Sequence, residues 1–221
     1  MKLRFLIKNE FVRLIKYKVL FFSVAVTAMW IAIIALLSQQ EALMLAPLLI
    51  IADLFMMTIL LLAAMYYYEK QEGTLITTLI APVKISDLIL SKYITHIIIG
   101  IVSSIITALC LTIFHKVSVN YALLIAYAFL IVICSCSLGY AFVYFNKDFS
   151  SLLVSFALLI LILFVPSILY MLDILPEAIK YLLFVSPIHC SQVLITSALI
   201  KGAPIADVLI SLGVLLIFSS L

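Results

Sequence analysis

Few side chains in this sequence could break a bond, and their spacing argues against it. The three histidines, His96, His115 and His189, stand far apart, whereas a metal site needs ligands that converge. The four cysteines, Cys110, Cys134, Cys136 and Cys190, include a C-x-C pair, a spacing that suits neither a zinc ribbon nor a thioredoxin-type redox pair. They are expected to act as small apolar residues, with Cys134 and Cys136 on different faces of one helix. No G-x-S-x-G, H-E-x-x-H or G-x-x-x-x-G-K-[ST] string occurs, so nucleophile, zinc and phosphate-loop chemistry all lack their usual frames. One ionisable residue lies inside an apolar run, Asp53 in "LLIIADLFMMTILL". A charge at the middle of a membrane helix costs about 2.5–3.5 kcal/mol on insertion scales, so such residues face a bundle interior or water. Asp53 is therefore a candidate lining residue of a pathway or a contact to a partner subunit; the competing reading is a residue hydrated or hydrogen-bonded to a nearby Ser or Thr. Pro166, in "LFVPSILY", is a second candidate for shaping a pathway. Proline removes a helical hydrogen bond and bends the chain, although membrane helices also tolerate it as a structural kink.

The elements that must position these residues follow from composition. The chain has 221 residues, 67% hydrophobic and 10% charged, where soluble domains run about 45–50% apolar and about 25% charged. A helix crossing a bilayer needs about 20 apolar residues. Six runs of that kind lie at 19–37, 44–67, 93–114, 121–144, 151–171 and 204–221. None alternates as a membrane β-strand does. The expected fold is an all-α integral membrane protein with six transmembrane helices, a single transmembrane domain over 1–221. The run at 19–37 is too long for a cleaved leader and reads as a retained anchor.

Charge sets the expected orientation. Ten of the 13 Lys and Arg residues lie before span one, between spans two and three, or after span four, against Lys116, Lys180 and Lys201 in the alternate loops. Cytoplasmic loops carry the excess of Lys and Arg, so both termini are expected in the cytoplasm, in a multi-pass plasma-membrane protein. The net charge of +3 is a topology signal and does not call for a nucleic-acid partner. Over 1–18, Leu3, Ile7, Phe11, Leu14 and Ile15 recur at helical spacing, with Lys2, Asn9, Glu10, Arg13 and Lys16 on the other side. That pattern predicts an amphipathic interfacial helix, apolar side toward lipid and basic side toward anionic headgroups. Between spans five and six, residues 172–203 are too apolar for a free loop, and Pro176 and Pro187 divide them. Two short extracytoplasmic helices, interfacial or re-entrant, are expected there.

The most structured polar interruption is "YYYEKQEGTLITTLIAPVKISDLILSK", Tyr66 to Lys92. Tyr66, Tyr67 and Tyr68 mark an interface, Glu69 to Glu72 are expected in water, and Gly73 can end the helix. "TLITTLIA" has the length of about two helical turns before Pro82. "SDLILSK" then restarts a helix, with Ser86 as N-cap and Asp87 in its first turn. The result is a short crosswise helix presenting Leu75, Ile76, Leu79 and Ile80.

The string Glu69-Lys70-Gln71-Glu72-Gly73-Thr74-Leu75, followed by Thr78-Leu79, Pro82 and Lys92, resembles the motif after the second span in permease subunits of ABC exporters of the second type. The order of elements resembles that family over the whole chain, with small drug (fluoroquinolone-export-like) and peptide or bacteriocin export permeases nearest in size. The resemblance implies a cytoplasmic coupling helix within 69–92, seated on a separate ABC ATPase through Glu69, Glu72, Gly73, Thr74, Leu75, Thr78, Leu79 and Pro82, with Glu69 and Glu72 either paired with basic residues of the ATPase or of the N-terminal helix or standing as a solvated helix end. It implies two ATPase copies and a second permease chain, identical or homologous, with the pathway between the permeases and an amphipathic drug or peptide as cargo. ATP and Mg would be bound by the partner ATPase, with no cofactor on this non-catalytic chain. It also implies a short basic tail beyond span six, where this sequence ends in "LLIFSSL". The alternative is a stand-alone secondary transporter or channel built on Asp53.

Overall fold

The computed structural model describes residues 2–74, 84–172, 174–200 and 204–220. The N-terminal helix α1 (Lys2–Lys16) is followed by α2 (Val19–Leu36) across a tight joint at Lys18, whose φ of 59° is left-handed. The long helix α3 runs from Gln39 to Gln71 and contains one π-helical turn, Ala52–Met57. Then come α4 (Ile85–His115), α5 (Tyr121–Phe145) and α6 (Phe149–Met171), the last with a second π-helical turn at Ile160–Phe164. A 3-10 turn (Glu177–Ile179) leads into the short α7 (Lys180–Leu183), then α8 (Pro187–Leu199) and α9 (Ile205–Ser219).

Local chemistry sets the helix starts. At α3, Ser38 and Glu41 form a reciprocal capping box, which satisfies N–H groups that a helix terminus otherwise leaves open. Asp148 and Ser151 do the same for α6, and the Asn120 and Ser186 side chains cap α5 and α8. The capping box makes α3 start well before its apolar run, and at 33 residues it is about 50 Å long at about 1.5 Å per residue.

Among the described residues five helices, α2 to α6, are long and apolar enough to cross a membrane. The run read as span six is helical over Ile205–Ser219, 15 residues. That is about 22 Å of helix, short of the roughly 30 Å hydrocarbon core. The restart at residues 86–92 and span three form one helix; its N-cap is Lys84, so Ser86 lies inside the first turn and does not cap it. Of the segment at 172–203, α8 packs against α3, α5 and α9, and most of its residues are buried.

The hub is α5, which packs against α3, α4, α8 and α9. Being surrounded, it buries both Cys134 and Cys136 completely, although they point to different faces. Close approach needs a missing side chain at one place: a Cβ on Gly100 of α4 would lie 2.7 Å from Val132 of α5 and 3.1 Å from Leu54 of α3. In lipid, tight contact of this kind is a main source of helix association. The outer helices differ sharply: 67% of the most apolar stretch of α3 is buried, against 22% for α2 and 17% for α6. So α2 and α6 turn broad apolar faces outward. The far end of α2 is nonetheless tied, since His115 of α4 bonds the Ile34 carbonyl through Nε2 at 2.8 Å and Gln39 Nε2 donates to the His115 carbonyl at 3.1 Å.

Candidate functional site

The charged end of α3 is built from its tyrosines outward. Tyr67 is buried, donates to the Asn146 carbonyl at 3.0 Å and meets the Phe149 ring edge-on at 5.9 Å. Tyr68 stacks on Tyr17 of the α1–α2 joint, ring centroids 5.2 Å apart. These rings fix the last turns of α3 against α1 and against the loop before α6. The next residue, Glu69, is 3% exposed, so the expectation that Glu69 lies in water is wrong. It accepts from Lys92 Nζ of α4 at 2.7 Å and pairs with Arg13 of α1 at 3.0 Å. Glu10, also 3% exposed, bonds Arg13 one turn away and reaches Lys92 at 3.4 Å. Two carboxylates and two cations from three helices thus neutralise one another. Burial pushes the Glu10 carboxyl above its ordinary value, against the pull of Lys92 and Arg13.

The posture of α1 is mixed: on its polar side Glu10 is buried and Arg13 half-buried while Lys16 stays exposed, and on its apolar side Leu14 is buried while Phe5, Val12 and Ile15 are exposed. Periodicity located the two faces but could not tell a headgroup-facing polar side from one matched by charges far along the chain.

Beyond Glu69 the helix ends as a glycine permits. Gly73 has φ +69° with its N–H on the Lys70 carbonyl at 3.2 Å, the left-handed ending that favours Gly. Glu72 is more open, held by Lys16 at 3.2 Å and by the Tyr17 hydroxyl, and these donors draw its carboxyl below the ordinary range. The same bond and burial hold the Tyr17 phenol up at about 12. Thr74 Oγ1 donates to the Glu69 carbonyl at 3.2 Å. Leu75, Thr78, Leu79 and Pro82 fall in 75–83, outside the described residues. Glu69, Glu72, Gly73 and Thr74 are therefore brought to one joint with Lys92; Arg13 and Lys16 are the basic α1 partners that the charge pattern allowed for the two glutamates, while Glu10 and Tyr17 complete it without a signal in the sequence.

Asp53 lies elsewhere on α3, in the π-helical turn, and is 6% exposed. The Thr27 hydroxyl of α2 is 3.1 Å from Asp53 Oδ2 and also 3.1 Å from the Ser23 carbonyl. Ser103 of α4 flanks the carboxyl but directs its own hydroxyl to the Gly100 carbonyl at 3.0 Å. Asp53 Oδ1 is buried with no hydrogen-bond partner. Pro166 is placed apart from it, on α6 just after the π-helical turn Ile160–Phe164, where the Leu163 carbonyl takes hydroxyls from Ser167 at 3.1 Å and Ser186 at 3.4 Å. Among the described residues no three His, Cys, Asp or Glu side chains converge as a metal cluster.

The fold and these sites define a helical membrane protein whose charged residues serve helix-to-helix joints. Its sequence matches, over residues 37–221, the family model described as ABC-2 family transporter protein. The chain belongs to that family, and it is a multi-pass membrane protein, the membrane component of an ABC transporter. No curated protein matches the sequence.

Proposed function

We propose that this chain is the permease subunit of an ATP-driven exporter, coupled through residues 69–92 to a separate ABC ATPase. The observation that carries the reading is the buried joint of Glu10, Arg13, Glu69 and Lys92. It locks together the ends of α3 and α4, the helices that precede and follow 75–83 in the sequence, and it ties both to α1. A load applied to that segment reaches three helices at once, because a buried pair that loses a partner leaves an uncompensated charge. On this reading 75–83 is the coupling helix, with Leu75, Thr78, Leu79 and Pro82 its docking surface and Glu72, Gly73 and Thr74 its hinge. Two permeases and two ATPases assemble in the plasma membrane, N-termini cytoplasmic, with ATP and Mg on the ATPase. The exposed apolar faces of α2 and α6 meet lipid and the second permease. The apolar character of the spans supports an amphipathic drug or peptide as cargo.

The test is co-purification of the chain with its ATPase in mild detergent, followed by ATP turnover with and without the permease. Turnover that depends on this chain, and loses that dependence in a Gly73→Asp/Leu79→Asp double variant that still inserts, is the expected result. Unchanged turnover in the double variant would sink the coupling assignment.

A further inference from the structure

Asp53 poses a counting problem. It is buried inside a span, yet it shares the nearest hydroxyls with backbone carbonyls. Thr27 has one hydrogen and two acceptors at 3.1 Å, the Ser23 carbonyl and Asp53 Oδ2. Ser103, the other hydroxyl beside the carboxyl, also bonds the Gly100 carbonyl, and Oδ1 has no hydrogen-bond partner of ordinary geometry. An ionised carboxylate so placed has only shared hydroxyl donors and no cation, and buried charges are stable only when paired or neutralised. The backbone beneath it is a π-helical turn, a feature frequent at functional sites.

Directly in front of Thr27 and Ser103 is a cleft of about 310 Å³ between α2 and α4. Both residues line it, with Ser23 as the only other polar side chain and walls of Val24, Ile98, Val102 and similar residues. Val24 is 60% exposed and Val102 49%, so the cleft opens at the outer surface of the helices. An aliphatic slot that narrows to hydroxyls with a buried, half-satisfied carboxylate behind them has the shape and charge of a receptor for one kind of molecule.

We propose that this cleft binds an amphipathic cation, an alkyl or aryl chain ending in an ammonium, with Asp53 as counter-ion and the Thr27 and Ser103 hydroxyls flanking the nitrogen. The ammonium supplies the hydrogen that Oδ1 lacks and the positive charge that the hydroxyls cannot give, and the chain lies along α2 and α4. The inference deepens the permease reading, on which it rests for the idea that such a molecule is cargo, by naming the cargo's charge. Binding itself stands apart from that reading.

The experiment uses the full chain in nanodiscs of zwitterionic lipid, without ATPase or ATP. Three dansyl-labelled alkyl probes share one chain and end in an ammonium, a neutral acetamide or a carboxylate. The ammonium is expected to bind at least about tenfold more tightly than the acetamide, a difference of about 1.4 kcal/mol, and the carboxylate not measurably. Asp53→Asn should bring the ammonium to the level of the acetamide and leave the acetamide unchanged. Because Asp53→Asn could disturb folding, Val102→Trp provides a second route: it fills the cleft from its exposed side and should abolish binding of both probes. Equal binding of ammonium and acetamide in the parent chain shows a plain acyl-chain groove and overturns the proposal, as does ammonium binding that survives either variant. Failure of ATPase co-purification, measured separately, counts against the permease reading and leaves the binding result standing.

Discussion

The long helix α3 carries two buried acidic residues, and its surroundings treat them in opposite ways. Glu69, at its end, meets Arg13 and Lys92 within 3.0 Å and shares both with Glu10. Asp53, nearer its middle, has a shared hydroxyl on one oxygen and nothing on the other. Glu69 sits where α1, α3 and α4 meet and where long basic side chains can enter from the helix ends. Asp53 sits where only hydroxyls reach it. A fixed cation makes a buried carboxylate part of the scaffold; a carboxylate without one keeps its capacity to respond to whatever arrives.

The sharpest way to break this contrast is Lys92→Met. It leaves Glu10 and Glu69 with Arg13 alone, and loss of one partner from a buried ionic cluster costs about 3 kcal/mol. Thermal unfolding in detergent should show a drop of that order, with faster hydrogen exchange along α1. A loss below about 1 kcal/mol, the scale of an exposed pair, would reduce the cluster to surface decoration. Next, Gly100→Leu should destabilise by about 1–3 kcal/mol, since its Cβ alone meets Val132 at 2.7 Å and Leu54 at 3.1 Å; this shows that the turn bearing Asp53 is held by packing and not by charge. Asp53→Asn should change stability by less than about 1 kcal/mol, because the new amide can donate to Thr27 and free its hydroxyl for the Ser23 carbonyl. A penalty as large as that of Lys92→Met erases the distinction between the two acids.

The smallest effect is one of pH, at the exposed edge of the cluster. Glu72 is held below its ordinary 4.5, so its contribution is present above that value and lost as pH falls through the lower, folded one. Tyr17 is held above its ordinary 10.0, at about 12, so its contribution is present below 10.0 and lost as pH rises toward about 12. Spin labels on α1 and α3 should report full docking between these limits and loosening beyond them. Docking that is indifferent to pH at both ends assigns this edge no role.

Composition and run length made the helical membrane fold legible, and the polar string at 69–74 drew attention to the right end of α3. What escaped was whatever depends on a distant partner. Glu69 read equally as a solvated helix end or as a partner of basic residues on the N-terminal helix or the ATPase, and only packing brings Arg13 and Lys92 to it. The polar side of α1 was expected at the headgroups, and nothing in its periodicity shows that Glu10 would be buried. Ser86 is a good N-cap type in the wrong register, since the helix begins at Ile85 after Lys84. The π-helical turns at Ala52–Met57 and Ile160–Phe164 leave no periodic trace, because an apolar run stays apolar through one extra residue. Asp53 was legible as an anomaly, but its open oxygen and the cleft in front of it required three helices in place.

The anchoring of α2 has a mechanical consequence. One end is clamped by the joint at Lys18 and the docking of α1, the other by the His115 bond to Ile34, while its flank along the cleft is largely free. A rod held at both ends cannot swing like a door. The gap beside it can widen only if the rod bows, and helices bend smoothly over radii of about 60–100 Å. Over the 18 residues of α2 such curvature moves the midpoint by about 1 Å for a rod of about 27 Å. Widening of the cleft beside Thr27 through bending of α2 is thus limited to about 1 Å.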